Sequence, residues 1–439
     1  MVITLSKYFG TDGFRGEFNK TITCHHALKI GEFLGSFYNG KKILIGRDTR
    51  ESGFELANSI IEGIIKGGAI PYDIGVVPTP AISFLVNKLD FIAGVMISAS
   101  HNPYYDNGIK IMDEFGNKAK EDLLLKIESY MDNETDIWLY GINQKPVLYT
   151  DGINKYIDYL KTIFNSNNKL KVGFDLANGS ASGIANQIFE GDNYYFINNS
   201  PDGRNINFSC GSTNMNTISN YVKENKLDIG FSFDGDSDRC LFCDSFGNIY
   251  SGDHILYLLA VYLKNKNELN KDTVVTTVMS NMGLYKAFDK LNIKYEKTNV
   301  GDKYVYECMN KNDLSLGGEQ SGHIIINKYL NTGDGILTAI MILNALNSLN
   351  VTINGILKDL IIYPQVLVNV IVKDKNKIMD DKPLSILIDK LEASLNNEGR
   401  ILVRKSGTEE LVRVMVEAKT LDICNNVSKK IVDYIKTLE

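Results

Sequence analysis

The chain has 439 residues, too long for a single hydrophobic core, and this length implies about three or four domains. With 44% hydrophobic and 23% charged residues, it has the composition of a soluble globular protein. Its 47 basic and 53 acidic residues leave a net charge of -6, which excludes nucleic acid or an anionic membrane as the main partner. Anionic small molecules stay open, because the local placement of Arg and Lys decides their binding.

The chain opens on Tyr8-Phe9-Gly10-Thr11-Asp12-Gly13-Phe14-Arg15-Gly16, whose glycines predict a loop that presents one arginine. A helical pattern over residues 27–37 precedes an apolar strand, 42–45, that ends in Gly46-Arg47-Asp48-Thr49-Arg50. Between them, Gly35 to Lys41 has G-x-x-x-x-G-K spacing. Lys42 stands where a P-loop needs Ser or Thr, and the helix-then-strand order is the reverse of a P-loop. A second helix (55–65) and strand (70–74) lead through Pro78-Thr79-Pro80 to an apolar strand ending in Ser98-Ala99-Ser100-His101-Asn102-Pro103. Helices alternating with short apolar strands predict an α/β fold with largely parallel pairing. The small residues at 98–100 leave the last side chain open to a large ligand, and Asp106-Asn107-Gly108-Ile109-Lys110 predicts a turn that brings a lysine back. A strand-end serine with His and Lys nearby suits a covalent phosphoryl carrier, although Ser, Asn and Pro are also ordinary turn residues.

A polar-rich stretch near residues 134–151 marks the first domain boundary. A strand at 170–174 opens onto Asp175-Leu176-Ala177-Asn178-Gly179, and a strand at 227–233 feeds Asp234-Gly235-Asp236-Ser237-Asp238-Arg239. Three carboxylates this close repel unless a hard cation neutralises them, and magnesium is the natural occupant. An EF-hand is excluded by Arg239 and Ser245 at the sixth and twelfth positions, and a haloacid-dehalogenase-type loop by Asp238 in place of Thr or Val. Cys240-Leu241-Phe242-Cys243 has C-x-x-C spacing but no second pair or His cluster, so it reads as core strand. The six cysteines are scattered, no signal sequence is evident and no apolar run reaches membrane-spanning length. The expected location is therefore the cytoplasm, with free thiols.

A third α/β unit spans about residues 252–350, with a strand at 273–278, the loop Val300-Gly301-Asp302-Lys303, and Gly317-Gly318-Glu319-Gln320-Ser321-Gly322-His323. Glu319 and Ser321 there can hydrogen-bond sugar hydroxyls. The last segment alternates strand (366–372), helix (384–395), strand with loop (401–408), strand (412–418) and helix (423–437). Its Arg404-Lys405-Ser406-Gly407-Thr408 offers a guanidinium, two hydroxyls and glycine-freed N–H groups, which a phosphate dianion requires.

Six stretches carry a resemblance: residues 9–16 (FGTDGFRG), 97–103 (ISASHNP), 106–110 (DNGIK), 233–239 (FDGDSDR), 317–323 (GGEQSGH) and 404–409 (RKSGTE). In these motifs, in their order and at about their spacing, the chain resembles the α-D-phosphohexomutases over essentially its whole length. The GEQSG form of the sugar loop, FGTDG and residues 201–213 (PDGRNINFSCGST) resemble the branch that acts on glucosamine phosphates. The resemblance implies three similar α/β domains (1–150, 151–250 and 251–362) and a smaller α+β C-terminal domain (363–439) around a central active-site cleft.

It further implies that Ser100 carries a phosphoryl group, and that Asp234, Asp236 and Asp238 bind Mg²⁺ with the phosphoserine. Arg15, His101, Lys110 and Arg239 would surround the transferred group. Glu319, Ser321 and His323 would contact the sugar, and Arg404, Ser406, Gly407, Thr408 and Arg413 the non-reacting phosphate. The implied reaction interconverts glucosamine 6-phosphate and glucosamine 1-phosphate through a sugar 1,6-bisphosphate, on the way to UDP-N-acetylglucosamine, with Lys110 or His101 as base. The nearest alternative is a phosphomannomutase or phosphoglucomutase. More distant ones are a magnesium-dependent sugar phosphohydrolase and an inactive sugar-phosphate-binding protein. The expected partner is a small hexosamine phosphate, with no nucleic acid and no membrane, and a homodimer left open. Two positions depart from the family pattern: Glu410 replaces a usual proline, and Asn214 stands where histidine is expected.

Overall fold

A computed structural model describes residues 6–141, 144–406 and 410–438. They form two compact units. One takes the residues up to Met279 together with Ile293–Leu357, and the other takes Ser280–Asn292 with Lys358–Glu439.

The first unit contains three separate sheets, each with its own helices. The largest has the strand order Phe9–Gly10, Gly13–Glu17, Asp106–Met112, Ala93–Ile97, Lys42–Arg47, Ile70–Val76 and Val147–Leu148. The second runs Ile249–Tyr250, Cys240–Asp244, Ile229–Phe233, Val172–Asp175 and Tyr194–Ile197. The third runs Lys294–Thr298, Thr273–Thr277, Leu316–Gly318 and Ile324–Ile326.

One local pattern recurs in all three. Ala93–Ile97 pairs in parallel with Lys42–Arg47 on one side and antiparallel with Asp106–Met112 on the other. Ile229–Phe233 lies in the same way between Val172–Asp175 and Cys240–Asp244, and Leu316–Gly318 between Thr273–Thr277 and Ile324–Ile326. In each sheet an interior strand, flanked on both edges, ends in a loop that turns straight back into an antiparallel partner. The serine loop, the Asp-rich loop and the Glu319 loop are these three connections.

This corrects three expectations from the sequence. The sheets are mixed, not largely parallel. The glycine-rich stretch around Arg15 is not a loop: Phe9–Gly10 and Gly13–Glu17 form an antiparallel pair, and Arg15 sits opposite Gly108. The DNGIK stretch is strand instead of turn, with Lys110 opposite Met96. Glycine signals a turn only where no ladder claims its backbone. Here Gly108 is required by packing, since a Cβ would lie 2.4 Å from the Ser98 carbonyl oxygen.

The core of the first domain gathers on one face of its sheet, where Ile30, Leu34, Ile60 and Ile64 cover Ile43, Ile45, Val95 and Ile97. The two covering helices, Cys24–Phe37 and Glu51–Gly67, touch through four glycines. A Cβ at Gly31, Gly35 or Gly63 would lie 2.3 Å from the carbonyl oxygen of Ile60, Ile64 or Leu28, and one at Gly67 would lie 2.4 Å from Ser36 N. Gly35 of the P-loop-like spacing therefore serves helix packing. Cys240 and Cys243 are buried on a core strand, all six cysteines are free, and no described helix is long and apolar enough to cross a membrane.

In the second unit, Gln365–Ile371, Leu411–Ala418 and Gly399–Lys405 form an antiparallel sheet with Leu411–Ala418 in the centre. The helices Lys382–Ser394 and Leu421–Thr437 supply Leu384, Cys424, Ile431 and Ile435 to a core with Val412, Val414 and Val416. Side chains of Asp381 and Thr420 cap these helices. The helix Met282–Lys290 belongs here as well, since the Met282 N–H donates to Glu417 Oε2 at 2.9 Å.

The glycine contact makes a stability prediction. Alanine at Gly63 should gain about 1 kcal/mol of helix propensity, yet Gly63→Ala should lower unfolding free energy by roughly 1–3 kcal/mol because the helices must part. Denaturant titration measures this, and a variant as stable as wild type would show that the helices do not meet through Gly63.

Candidate active site

Ser100 closes the strand Ala93–Ile97 and its short extension, fully buried and in the left-handed backbone region at φ 53°. Its Oγ donates to Asp234 Oδ2 at 2.6 Å and lies 3.3 Å from His101 Nδ1. Asp234, Asp236 and Asp238 are all buried, and each offers an oxygen within 4.8 Å of the others. Burial, together with the charges of Asp238 and Asp236, pushes the Asp234 carboxyl well above its usual range.

Asp236 shows how the cluster is oriented. Its Oδ2 accepts from Thr79 Oγ1 at 2.5 Å and from Lys110 Nζ at 2.7 Å. Its Oδ1 and the Oδ1 of Asp238 are buried with no hydrogen-bond partner among the described residues. Second partners thus hold one oxygen and leave the other free, the arrangement a metal-ligating carboxylate needs. The chemistry of this oxygen-only donor set fits a hard divalent cation.

Cations from the neighbouring hairpin face the cluster. Lys110 Nζ also lies 3.3 Å from Asp238 and 3.6 Å from Asp12. Burial opposes its charge, but Asp12, Asp236 and Asp238 outweigh that and raise its pKa. Arg15 pairs with Asp12. Burial, then Arg239 and Arg15, push His101 down to about 4, so its ring is neutral at neutral pH, and its Nδ1 accepts from Arg239 Nη1 at 3.1 Å.

The third sheet brings its loop to the same place. The Glu319 N–H donates to the His323 carbonyl, and Cys240 N–H donates to the Gly322 carbonyl at 3.0 Å, which docks the loop at the end of the Asp-rich turn. Gly322 is required there, with φ 92° and a Cβ position 2.4 Å from the Cys240 carbonyl oxygen. His323 Nδ1 then lies 3.8 Å from Asp238, while its Nε2 accepts from the Gly333 N–H at 3.1 Å. Glu319 Oε1 accepts from the Gly301 N–H at 3.0 Å, and burial raises its pKa. Ser321 Oγ is buried without a partner among the described residues.

In the second unit, Arg404 and Arg413 stand opposite each other on adjacent strands. Like charges across a ladder destabilise each other. Burial and then the Arg413 charge lower the Arg404 pKa, and Arg404 Nε is buried without a partner among the described residues. Ser406 is buried beside them, and its N–H donates to the Leu411 carbonyl. Gly407 and Thr408 lie outside the described residues. Glu410 pairs with Lys375 at 3.2 Å, and Asn214 tightens a turn through its N–H to the Gly211 carbonyl.

Within the first unit, Arg15, Ser100, His101, Lys110, Asp234, Asp236, Asp238, Arg239 and the loop bearing Glu319, Ser321 and His323 therefore converge. The sequence reading missed four contributors: Asp12, Thr79, Lys118 and Asp302. Lys118 Nζ bridges Asp12 at 2.8 Å and Asp302 at 2.7 Å, and Asp302 in turn lies 3.5 Å from His323 Nε2. Asp12, Thr79 and Asp302 all sit in stretches already singled out as loops, but nothing in spacing distinguishes their carboxylates and hydroxyl from ordinary turn residues.

Family models match nearly end to end. Models of the phosphoglucomutase/phosphomannomutase alpha/beta/alpha domains I, II and III match residues 6–138, 151–247 and 251–362, and the C-terminal domain model matches 367–433. A curated phosphoglucosamine mutase from Lachnospira eligens is 47% identical over 445 residues, covering 99% of each chain. A phosphoglucomutase/phosphomannomutase family protein from Burkholderia thailandensis superposes with a TM-score of 0.81 at 22% identity, covering 98% of this chain and 97% of that one. An Aspergillus fumigatus N-acetylphosphoglucosamine mutase solved with GlcNAc-6P and magnesium superposes at 0.71 and 17% identity, over 98% and 96% of the two chains.

The carboxylate cluster yields a test. In chelating buffer, Asp234→Asn should melt at or above the wild-type temperature, because it removes a charge that burial and two neighbours already disfavour. With a divalent cation at a hundred times its dissociation constant, wild type should gain about 2.7 kcal/mol and the variant much less. Calorimetry with and without cation reads both, and an equal gain in the two proteins would place the cation elsewhere.

Proposed function

Because the chain belongs to the phosphoglucomutase/phosphomannomutase family, the α-D-phosphohexomutases, we propose that it interconverts glucosamine 6-phosphate and glucosamine 1-phosphate. The observation that carries the reading is the buried Ser100 hydroxyl on Asp234, inside a carboxylate cluster faced by Lys110 and Arg239. Full-length identity to a phosphoglucosamine mutase selects the amino sugar over glucose or mannose.

A phosphoryl group cannot pass directly between O6 and O1 of one sugar, since the two oxygens are too far apart. Ser100 supplies the relay. Its P–O bond breaks as the free sugar hydroxyl forms a new one, and the hydroxyl proton ends on the departing Ser100 oxygen, producing a 1,6-bisphosphate and a free serine. The sugar turns over, and Ser100 takes back the other phosphoryl group. The transfer has a loose transition state, so the protein mainly contributes position and charge, and Arg15, Lys110 and Arg239 provide the cations. Asp234, Asp236 and Asp238, with the phosphorylated Ser100, would hold Mg²⁺, which when bound offsets charge on the transferring group. Glu319, Ser321 and His323 orient the sugar. Arg404, Ser406 and Arg413, with Gly407 and Thr408, grip the phosphate that is not reacting. These roles divide over domains at residues 1–150, 151–250, 251–362 and 363–439.

Two experiments test the reading. Ser100→Ala should fold normally, take up no phosphoryl group by intact mass and lose measurable turnover of glucosamine 6-phosphate. Turnover near wild type would refute the phosphoserine relay, and release of inorganic phosphate by the wild-type protein would mark a hydrolase. Arg404→Ala should slow the forward and reverse reactions alike by about 2 kcal/mol, roughly 30-fold, and leak bisphosphate into solution. A loss in one direction alone would rule out a grip used in both sugar orientations.

A further inference from the structure

The backbone of Ser100 lies in a closed ring of buried polar groups that none of the roles above uses. Its N–H donates to Ser98 Oγ at 2.9 Å, and that hydroxyl donates to Asp48 Oδ2 at 2.6 Å. The same carboxylate oxygen accepts from Arg50 Nε at 2.9 Å, and Arg50 Nη2 returns to the Ser100 carbonyl at 2.9 Å. The ring thus holds both polar ends of one residue. The side chains of Asp48 and Arg50 are fully buried, as are Ser98 and Ser100.

Arg50 extends the hold along the loop. Its Nη2 also donates to the Asn102 carbonyl at 2.8 Å, and its Nη1 donates to the carbonyls of Asp106, at 3.0 Å, and Pro103. From the second sheet's domain, Asn207 Nδ2 donates to the same Ser100 and Asn102 carbonyls at 2.9 and 3.1 Å. Four carbonyls of the loop, those of Ser100, Asn102, Pro103 and Asp106, therefore accept from one guanidinium. A planar fork can do this, whereas a lysine ammonium cannot reach so many fixed acceptors.

The conformation under the ring needs such a hold. A non-glycine residue at φ 53° is less favourable than one in the ordinary regions and persists where surroundings over-determine it. If Ser100 relaxed, its Oγ would swing away from Asp234. We propose that Arg50, Asp48 and Ser98 are positioning residues that lock the phosphoryl-carrying serine in its left-handed conformation, so that its oxygen points at the carboxylate cluster in every step of the reaction cycle. The proposal rests on Ser100 being the carrier.

The test uses Ser98→Ala, which deletes one hydroxyl of the ring, and Arg50→Lys, which keeps the charge beside Asp48 but not the fork. Amide exchange of the peptide spanning residues 97–106, followed by mass spectrometry, should be at least tenfold faster in both. On fully phosphorylated protein, kcat should fall on the order of 100-fold while KM for glucosamine 6-phosphate stays within about twofold. Unchanged exchange, or kcat at the wild-type level, would overturn the proposal. So would a loss of kcat that only tracks the unfolded fraction measured by calorimetry. If Arg50→Lys does not fold, Ser98→Ala decides alone. An inactive wild-type protein would instead overturn the mutase reading, and the ring would then stand or fall on the exchange result.

Discussion

Three buried carboxylates are packed into one turn, and most of the surrounding structure follows from what that requires. Like charges in a buried site cannot all ionise without compensation. The chain answers from three directions. Lys110 reaches Asp236 and Asp238 from the first sheet, the Asp234 carboxyl is pushed up and accepts the Ser100 hydroxyl, and His323 approaches Asp238 from the third. None of these partners is near the triad in sequence. The cluster is therefore stable only in the assembled unit, and the assembly places a nucleophile against it.

The hairpin pattern explains how three different stretches can do this with precision. An interior strand is held on both edges, so the loop that leaves it starts from a fixed point. Because the chain returns at once as an antiparallel partner, the loop is anchored at its far end too. Lys110 lies on such a returning strand, opposite Met96, and so faces the loop that its own hairpin carries. The same logic accounts for the tight glycines. Gly108, Gly235 and Gly322 let backbones approach where a Cβ would strike the carbonyl of Ser98, Ser100 or Cys240.

The second unit solves a separate problem by the opposite means. Where the first unit gathers carboxylates, this sheet sets Arg404 opposite Arg413, and burial with the Arg413 charge lowers the Arg404 pKa. Glu410, read from the sequence as a departure from the family pattern, places its carboxylate on Lys375. The departure at Asn214 is absorbed in a turn that precedes the helix Asn216–Asn225.

Much of this protein was legible in its residues alone. The alternation of apolar strands and helices announced α/β domains, and the Asp-x-Asp-x-Asp spacing announced a carboxylate cluster whose oxygens could hold a hard cation. Ser98-Ala99-Ser100-His101 announced a chemistry-bearing loop, because these are local properties of composition and period, whereas the burial of Ser98, Ala99 and Ser100 was not legible there. The tertiary structure decided what depends on partners far away in the chain. It made strands of two glycine-rich stretches read as loop and turn, since only a neighbouring ladder can claim those N–H and C=O groups. It also recruited Asp12, Thr79, Lys118 and Asp302, whose residue types are common in any turn and become informative only when folding sets them beside Arg15, Asp236 and His323. Arg50 is the clearest case. In sequence it is one more basic residue after a strand, and its meaning comes from four carbonyls that lie 50 or more positions away.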